Sequence, residues 1–125
     1  MRFRRVLLFG LLLAAILLAA LIGGFLATLP LRVRIALADE QTAIFDDMRV
    51  KAERVDATEA LDYLEYTLRY YPSGTKQIEG SQLDRIVERA RQNALREIIA
   101  ALRARTGKDL GDDPQHWLDE LREAK

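Results

Sequence analysis

Twenty-four consecutive residues, Val6 to Leu29, carry no charge. A helix of that length is about 36 Å long and the hydrocarbon layer of a bilayer about 30 Å thick, so the run reads as a membrane span with some tilt. Arg2, Arg4 and Arg5 stand on its amino-terminal side with the chain's amino group, against only Arg32 and Arg34 on the other. The more positive flank stays in the cytoplasm. The expected topology is therefore single-pass in a bacterial inner membrane, with the amino terminus cytoplasmic and the carboxyl-terminal domain periplasmic, and the lipid bilayer is the first partner. A cleaved signal peptide is the alternative, since Ala36-Leu37-Ala38 has the small-x-small form of a cleavage site ahead of Asp39. Against it, a signal's apolar region is about 7–15 residues long. Arg32 and Arg34 also interrupt the approach to the site.

Charge divides the chain. Its formal net charge of zero combines five arginines and no acid in residues 1–34 with 14 Lys plus Arg against 19 Asp plus Glu in residues 39–125. An outward-facing acidic domain is a poor partner for nucleic acid, whose phosphates require a basic surface. The chain has no cysteine, which removes disulfide staples and thiolate metal sites from consideration.

Four segments follow: a basic tail at 1–5, a transmembrane anchor at 6–29, a juxtamembrane segment and acidic stalk helix at 30–55, and a small helical domain at 56–125. The fold expected is all-α, one N-terminal transmembrane helix followed by a three- to four-helix domain. In the stalk, Ile44, Met48 and Val55 are the apolar points, a thin stripe suited to a partly exposed arm. Asp56 and Glu59 form a capping-box pair that starts the next helix, and Pro72 stops it at Tyr71. That helix has two apolar faces: Leu61, Leu64, Leu68 and Tyr71 on one, Tyr63, Tyr66 and Tyr70 on the other. Neighbouring helices account for both faces most simply. Alternatively the tyrosine stripe is an interaction surface, because tyrosine joins a large apolar body to a polar tip.

Between Pro72 and Gly80 a polar, glycine-containing segment reads as a structured turn. Its Ser-Gly-Thr-Lys stretch lacks the spacing of a nucleotide-binding loop. It remains the place where a cleaved, soluble form of the domain would hold a small ligand or anion. Ser81 with Asp84 opens a third helix in which Leu83, Ile86, Val87, Ala90, Ala94, Ile98, Ala101 and Leu102 repeat at threes and fours. Gly107 closes it. Arg85, Arg89, Arg96 and Arg103 fall within about 40° on its opposite face. This basic stripe is an ordinary solvated face or a surface for anionic lipid or an acidic partner helix. Asp113 and Pro114 start a last helix, with Trp117, Leu118 and Leu121 on its buried side.

No catalytic constellation is complete, and the expectation is a non-enzymatic protein without cofactor or metal. His116 has no second histidine, cysteine or serine placed to form a ligand set or triad. Asp109, Asp113 and Glu120 match three positions of a calcium loop, but Gly111 and Pro114 occupy positions that such a loop cannot give them. In the membrane run, Ala15, Ala19 and Gly23 make a small-residue stripe suited to helix pairing.

The segments Tyr70 to Gln77, Gly80-Ser81, Ile98-Ile99 and Thr106 to Pro114 with Trp117 resemble a family of short, uncharacterised, membrane-anchored helical proteins of planctomycete-type bacteria. The resemblance spans about residues 56 to 121 and implies a helical domain, with no activity or catalytic residue to transfer. The expected role is display of a helical domain that binds a protein partner or a second copy of itself.

Overall fold

The computed structural model describes residues 1–124. Its helices are α1, Arg2–Ala52; α2, Ala57–Arg69; α3, Gln82–Thr106; and α4, Pro114–Glu123, with no strand among the described residues. Two compact units divide the chain, Met1–Val33 and Arg34–Lys125.

In the first unit every residue is exposed, including all of the large apolar side chains from Val6 to Leu29. A helix apolar on all sides needs an apolar surrounding. Helix α1 runs through Pro30 without ending, although proline has no amide for the Leu26 carbonyl four residues back. The Thr28 hydroxyl donates to the Gly24 and Phe25 carbonyls, 3.1 Å from each, in the turn next to that gap. Arg32 lays its guanidinium over the Phe25 ring at 5.0 Å.

The second unit begins at Arg34 and takes in the part of α1 that the sequence assigned to a stalk. Ala38, Gln41, Phe45 and Ala52 are buried there, and Phe45 is wholly inaccessible. With the partly buried Met48 they recur at three, four, three and four residues, the spacing of one helix face. The stalk is thus a core helix, and the compact domain starts near Arg34 rather than at residue 56. The stripe is thin in hydropathy because Ala38, Gln41 and Ala52 fill three of its five positions.

Two apolar clusters result. The larger joins Ala52 to Ala60, Leu61 and Leu64 of α2, Leu95, Ile98, Ile99 and Leu102 of α3, and Trp117 and Leu118 of α4. The smaller joins Ala38 and Phe45 to Val87 and Ala94 of α3, with Tyr71, Leu83 and Ala90 against it. Helix α3 therefore serves neighbours on two sides, and its buried arc is wider than the stripe expected. Leu95 and Ile99 are core positions that the sequence pattern missed, whereas Ile86 is 46 % exposed. At about 100° per residue Ile86 lies on the flank of Val87 opposite to Leu95 and Ile99.

The caps follow the sequence closely. Asp56 accepts from the Glu59 amide at 2.9 Å and Ser81 from the Asp84 amide at 3.2 Å. Gly107 ends α3 in the left-handed conformation, φ +67°. Asp113 caps α4 with Pro114 as its first residue, and the Trp117 indole donates to the Gly111 carbonyl at 2.8 Å. Helix α2 stops two residues earlier than expected, with Tyr70 as its cap.

Replacing Phe45 with alanine tests the core assignment. A buried phenylalanine lost from a packed cluster costs about 3–5 kcal/mol. Urea unfolding of the full chain in detergent, followed by Trp117 fluorescence, is expected to show a loss of that size. A stalk residue would show almost none.

Candidate functional site

The polar connection from Tyr70 to Ser81 is organised by one side chain, Asp84, which is only 4 % exposed. Its carboxylate accepts from the Ser73 hydroxyl at 2.6 Å, the Gly74 amide at 2.9 Å and the Gly80 amide at 3.0 Å. Gly74 and Gly80 both have positive φ, +82° and +75°, which lets the turn direct these amides at one carboxylate. The Ser73 hydroxyl, then the Gly74 amide, hold the Asp84 carboxyl below its usual range against the opposing effect of burial. The chain thus supplies its own carboxylate to the Gly74 and Gly80 amides, and both are engaged by it. The sequence showed Asp84 only as a helix-start residue; the acid's distance from Ser73 and Gly74 along the chain concealed the rest.

The same loop is fastened to the start of the domain. Gln77 is buried, and its amide group donates to the Arg34 carbonyl at 2.9 Å and to the Gln41 side-chain oxygen at 3.4 Å. Its own side-chain oxygen has no partner among the described residues.

The structure divides the tyrosine stripe. Tyr63 packs against the larger cluster and donates its hydroxyl to Glu59 at 3.1 Å. Tyr66 and Tyr70 stack with ring centroids 4.4 Å apart, and Tyr70 meets Tyr71 edge-on at 4.2 Å. Tyr71 adopts φ +51°. Pro72 bars it from the right-handed helical region, and the left-handed one costs a non-glycine residue roughly 1–2 kcal/mol. Packing against the Ala38–Phe45 cluster offsets this, together with the Lys76 ammonium, 4.1 Å from the ring centre. That ammonium holds the Tyr71 hydroxyl below its usual range, while the neighbouring Tyr71 hydroxyl pushes Tyr70 up to about 12.

The arginine stripe divides as well. Arg103 is enclosed by the connection to α4, with Asp109 at 3.0 Å, the Gly111 carbonyl at 2.8 Å and Asp112 at 2.7 Å. Arg85 donates to the Gly80 carbonyl at 2.5 Å. Arg96 reaches only the Asn93 side chain, at 3.3 Å. Among the described residues neither Arg89 nor Arg96 pairs with a carboxylate, and both are exposed. They border two open grooves. One, of about 510 Å³, includes Ser73, Glu79, Arg85, Glu88 and Arg89; the other, of about 390 Å³, is lined by Ile86, Arg89, Ala90, Asn93 and Arg96.

Ala15, Ala19 and Gly23 lie along one exposed stripe of α1, and a side chain at Gly23 would meet nothing within 4 Å. His116 is exposed on α4. No group of metal-holding side chains occurs among the described residues. The chain matches no protein family, no curated protein and no solved structure with which it was compared.

Asp84→Asn tests the loop's construction. Hydrogen bonds to a charged group contribute about 1.5–3 kcal/mol, and a loss in that range at pH 7 is expected in urea unfolding. Because the folded-state pKa lies below the unfolded one, this stability is present above pH about 4 and disappears as pH falls through the folded value. The gap between wild type and variant should therefore narrow from pH 7 to pH 3.

Proposed function

We propose that this is a single-pass inner-membrane protein that displays a small helical domain in the periplasm for association with another protein or a second copy of itself. The observation that carries the reading is the first unit, a helix whose large apolar side chains all face outward from Val6 to Leu29. Three arginines and the amino group at its start favour a cytoplasmic amino terminus.

Retention of the span is favoured over cleavage after Ala38 by what cleavage would remove. Ala38 is buried in the smaller cluster, and the Arg34 carbonyl receives the Gln77 amide. A mature chain beginning at Asp39 would lose both.

The association surface is the outer face of α3 around Arg89 and Arg96. Two guanidinium groups beside Ile86, uncommitted to carboxylates, suit an acidic partner segment. The role is binding rather than catalysis.

Fractionation of cells expressing the full chain checks the anchor. The expected product has its full-length mass, resists carbonate extraction and loses its carboxyl-terminal domain to protease added from the periplasmic side. A soluble product starting at Asp39 would overturn the anchored reading. For the surface, Arg89→Glu with Arg96→Glu should change unfolding free energy by no more than about 0.5 kcal/mol, as expected of exposed positions. The same pair should abolish the adducts that wild type forms on chemical crosslinking in cells; adducts persisting unchanged would exclude this face.

A further inference from the structure

Four large apolar side chains of the second unit remain exposed among the described residues: Ile35, Tyr70, Ile78 and Ile86, at 50, 41, 55 and 46 %. They gather at one end of the domain. Ile35 follows Arg34, whose carbonyl receives Gln77, the neighbour of Ile78. Tyr70 lies edge-on to Tyr71, which packs against the Ala38 cluster. Asp84 ties the loop to the first turn of α3, with Ile86 just beyond it at the edge of a groove. At the other end Arg105 meets the Ala52 and Glu53 carbonyls, and Arg103 meets Asp109 and Asp112.

The apolar end is also where the chain enters the domain. Four residues, Pro30 to Val33, separate Leu29 from Arg34 within α1, and the five helical steps between those two advance about 7.5 Å. The headgroup layer on each side of a bilayer is about 5–8 Å thick.

We propose that Ile35, Tyr70 and Ile78 form a lipid-contact rim, seated in the outer headgroup layer of the bilayer that the Val6–Leu29 run crosses. The proposal rests on the anchored reading above. Ile78 sits on a fastened loop, since its carbonyl receives the Ser81 amide at 2.9 Å and the adjoining Gln77 is buried. An isoleucine held outward on such a loop gains by leaving water for the acyl-chain boundary. Tyrosine, with an apolar ring and a polar tip, suits the same layer. Charge is not the source of attachment: Arg34, Lys76 and Arg85 at this end are matched in number by Glu40, Glu79 and Asp84. Insertion is therefore indifferent to anionic lipid.

The absence of cysteine allows single-site nitroxide labels in the full chain. Ile78→Cys, Ile35→Cys, Leu18→Cys and Lys108→Cys are placed separately in phosphatidylethanolamine/phosphatidylglycerol nanodiscs, and access to oxygen and to a water-soluble nickel chelate is measured by power saturation. Far-UV circular dichroism establishes that each variant retains its helices; the Ile78 and Ile35 side chains are exposed, so little packing is removed. The expected result is an oxygen-to-nickel ratio several-fold higher at Ile78 and Ile35 than at Lys108, unchanged in nanodiscs of phosphatidylcholine alone. A lipid-like ratio at Leu18 with a water-like one at Ile78 and Ile35 overturns the rim and leaves the anchor standing. Shielding of Ile78 from both reagents puts protein over it and also overturns the rim. A water-like ratio at Leu18 overturns the anchored reading, and the rim with it.

Discussion

Every α-helix leaves its last carbonyls without donors of their own, and in this domain α3 supplies donors for its neighbours. Arg91 donates to the Leu68 carbonyl near the end of α2 at 3.0 Å, while Glu88 grips the rest of its guanidinium at 2.7 and 2.9 Å. Arg105 meets the carbonyls of Ala52 and Glu53 where α1 ends. Arg103 holds the Gly111 carbonyl in the turn that leads to α4. At the other end of α3 the signs reverse, and Asp84 receives the amides of Gly74 and Gly80. The acid stands in the first turn and two of the arginines in the last, the arrangement that the helix dipole favours. One helix thus terminates the three chain reversals around it.

Ion pairs between helices reinforce this frame. Arg49 of α1 reaches Glu97 of α3 at 2.8 Å, and Arg122 of α4 reaches Asp62 of α2 at 3.2 Å and also Glu65. The Arg122 guanidinium, against a smaller contribution from burial, holds the Glu65 carboxyl below its usual range. These pairs are partly exposed, and each contributes little on its own. The apolar stripes decide which face of each amphipathic helix turns inward and supply the free energy, and the pairs border those buried faces.

The parts of this fold that depend on near neighbours in the chain were legible in the sequence. Asp56, Ser81, Gly107 and Asp113 with Pro114 mark helix ends because a cap and the amide or carbonyl it serves are only a few residues apart. The apolar run from Val6 to Leu29 was legible for the same reason, as contiguous composition. What depended on distant residues was hidden. Phe45 is followed by Asp46 and Asp47, and its stripe is completed by Ala38, Gln41 and Ala52, which carry little hydropathy signal. The arginines of α3 form one basic stripe on a wheel, yet Arg103 is consumed by Asp109 and Asp112, and Arg85 by Gly80. A long side chain finds its partner in three dimensions, and periodicity along one helix does not contain that information.

These engagements determine what the molecule can present to others. A guanidinium held by two carboxylates and a carbonyl, as Arg103 is, must give up those bonds before it binds elsewhere. Arg89 and Arg96 have no such commitment, so contact there costs only their hydration and side-chain freedom. The same reasoning applies to the loop. Gly74 and Gly80 spend their amides on Asp84, which makes the segment a rigid support rather than a ligand cradle, and the rigidity is what keeps Ile78 outward. Asp84, Arg91, Arg103 and Arg105 are engaged inside the domain, leaving two unlike surfaces available: an apolar end beside the chain's entry and a basic flank along α3. On the proposed anchored reading, a partner recognised by the flank would not compete with the bilayer for the end.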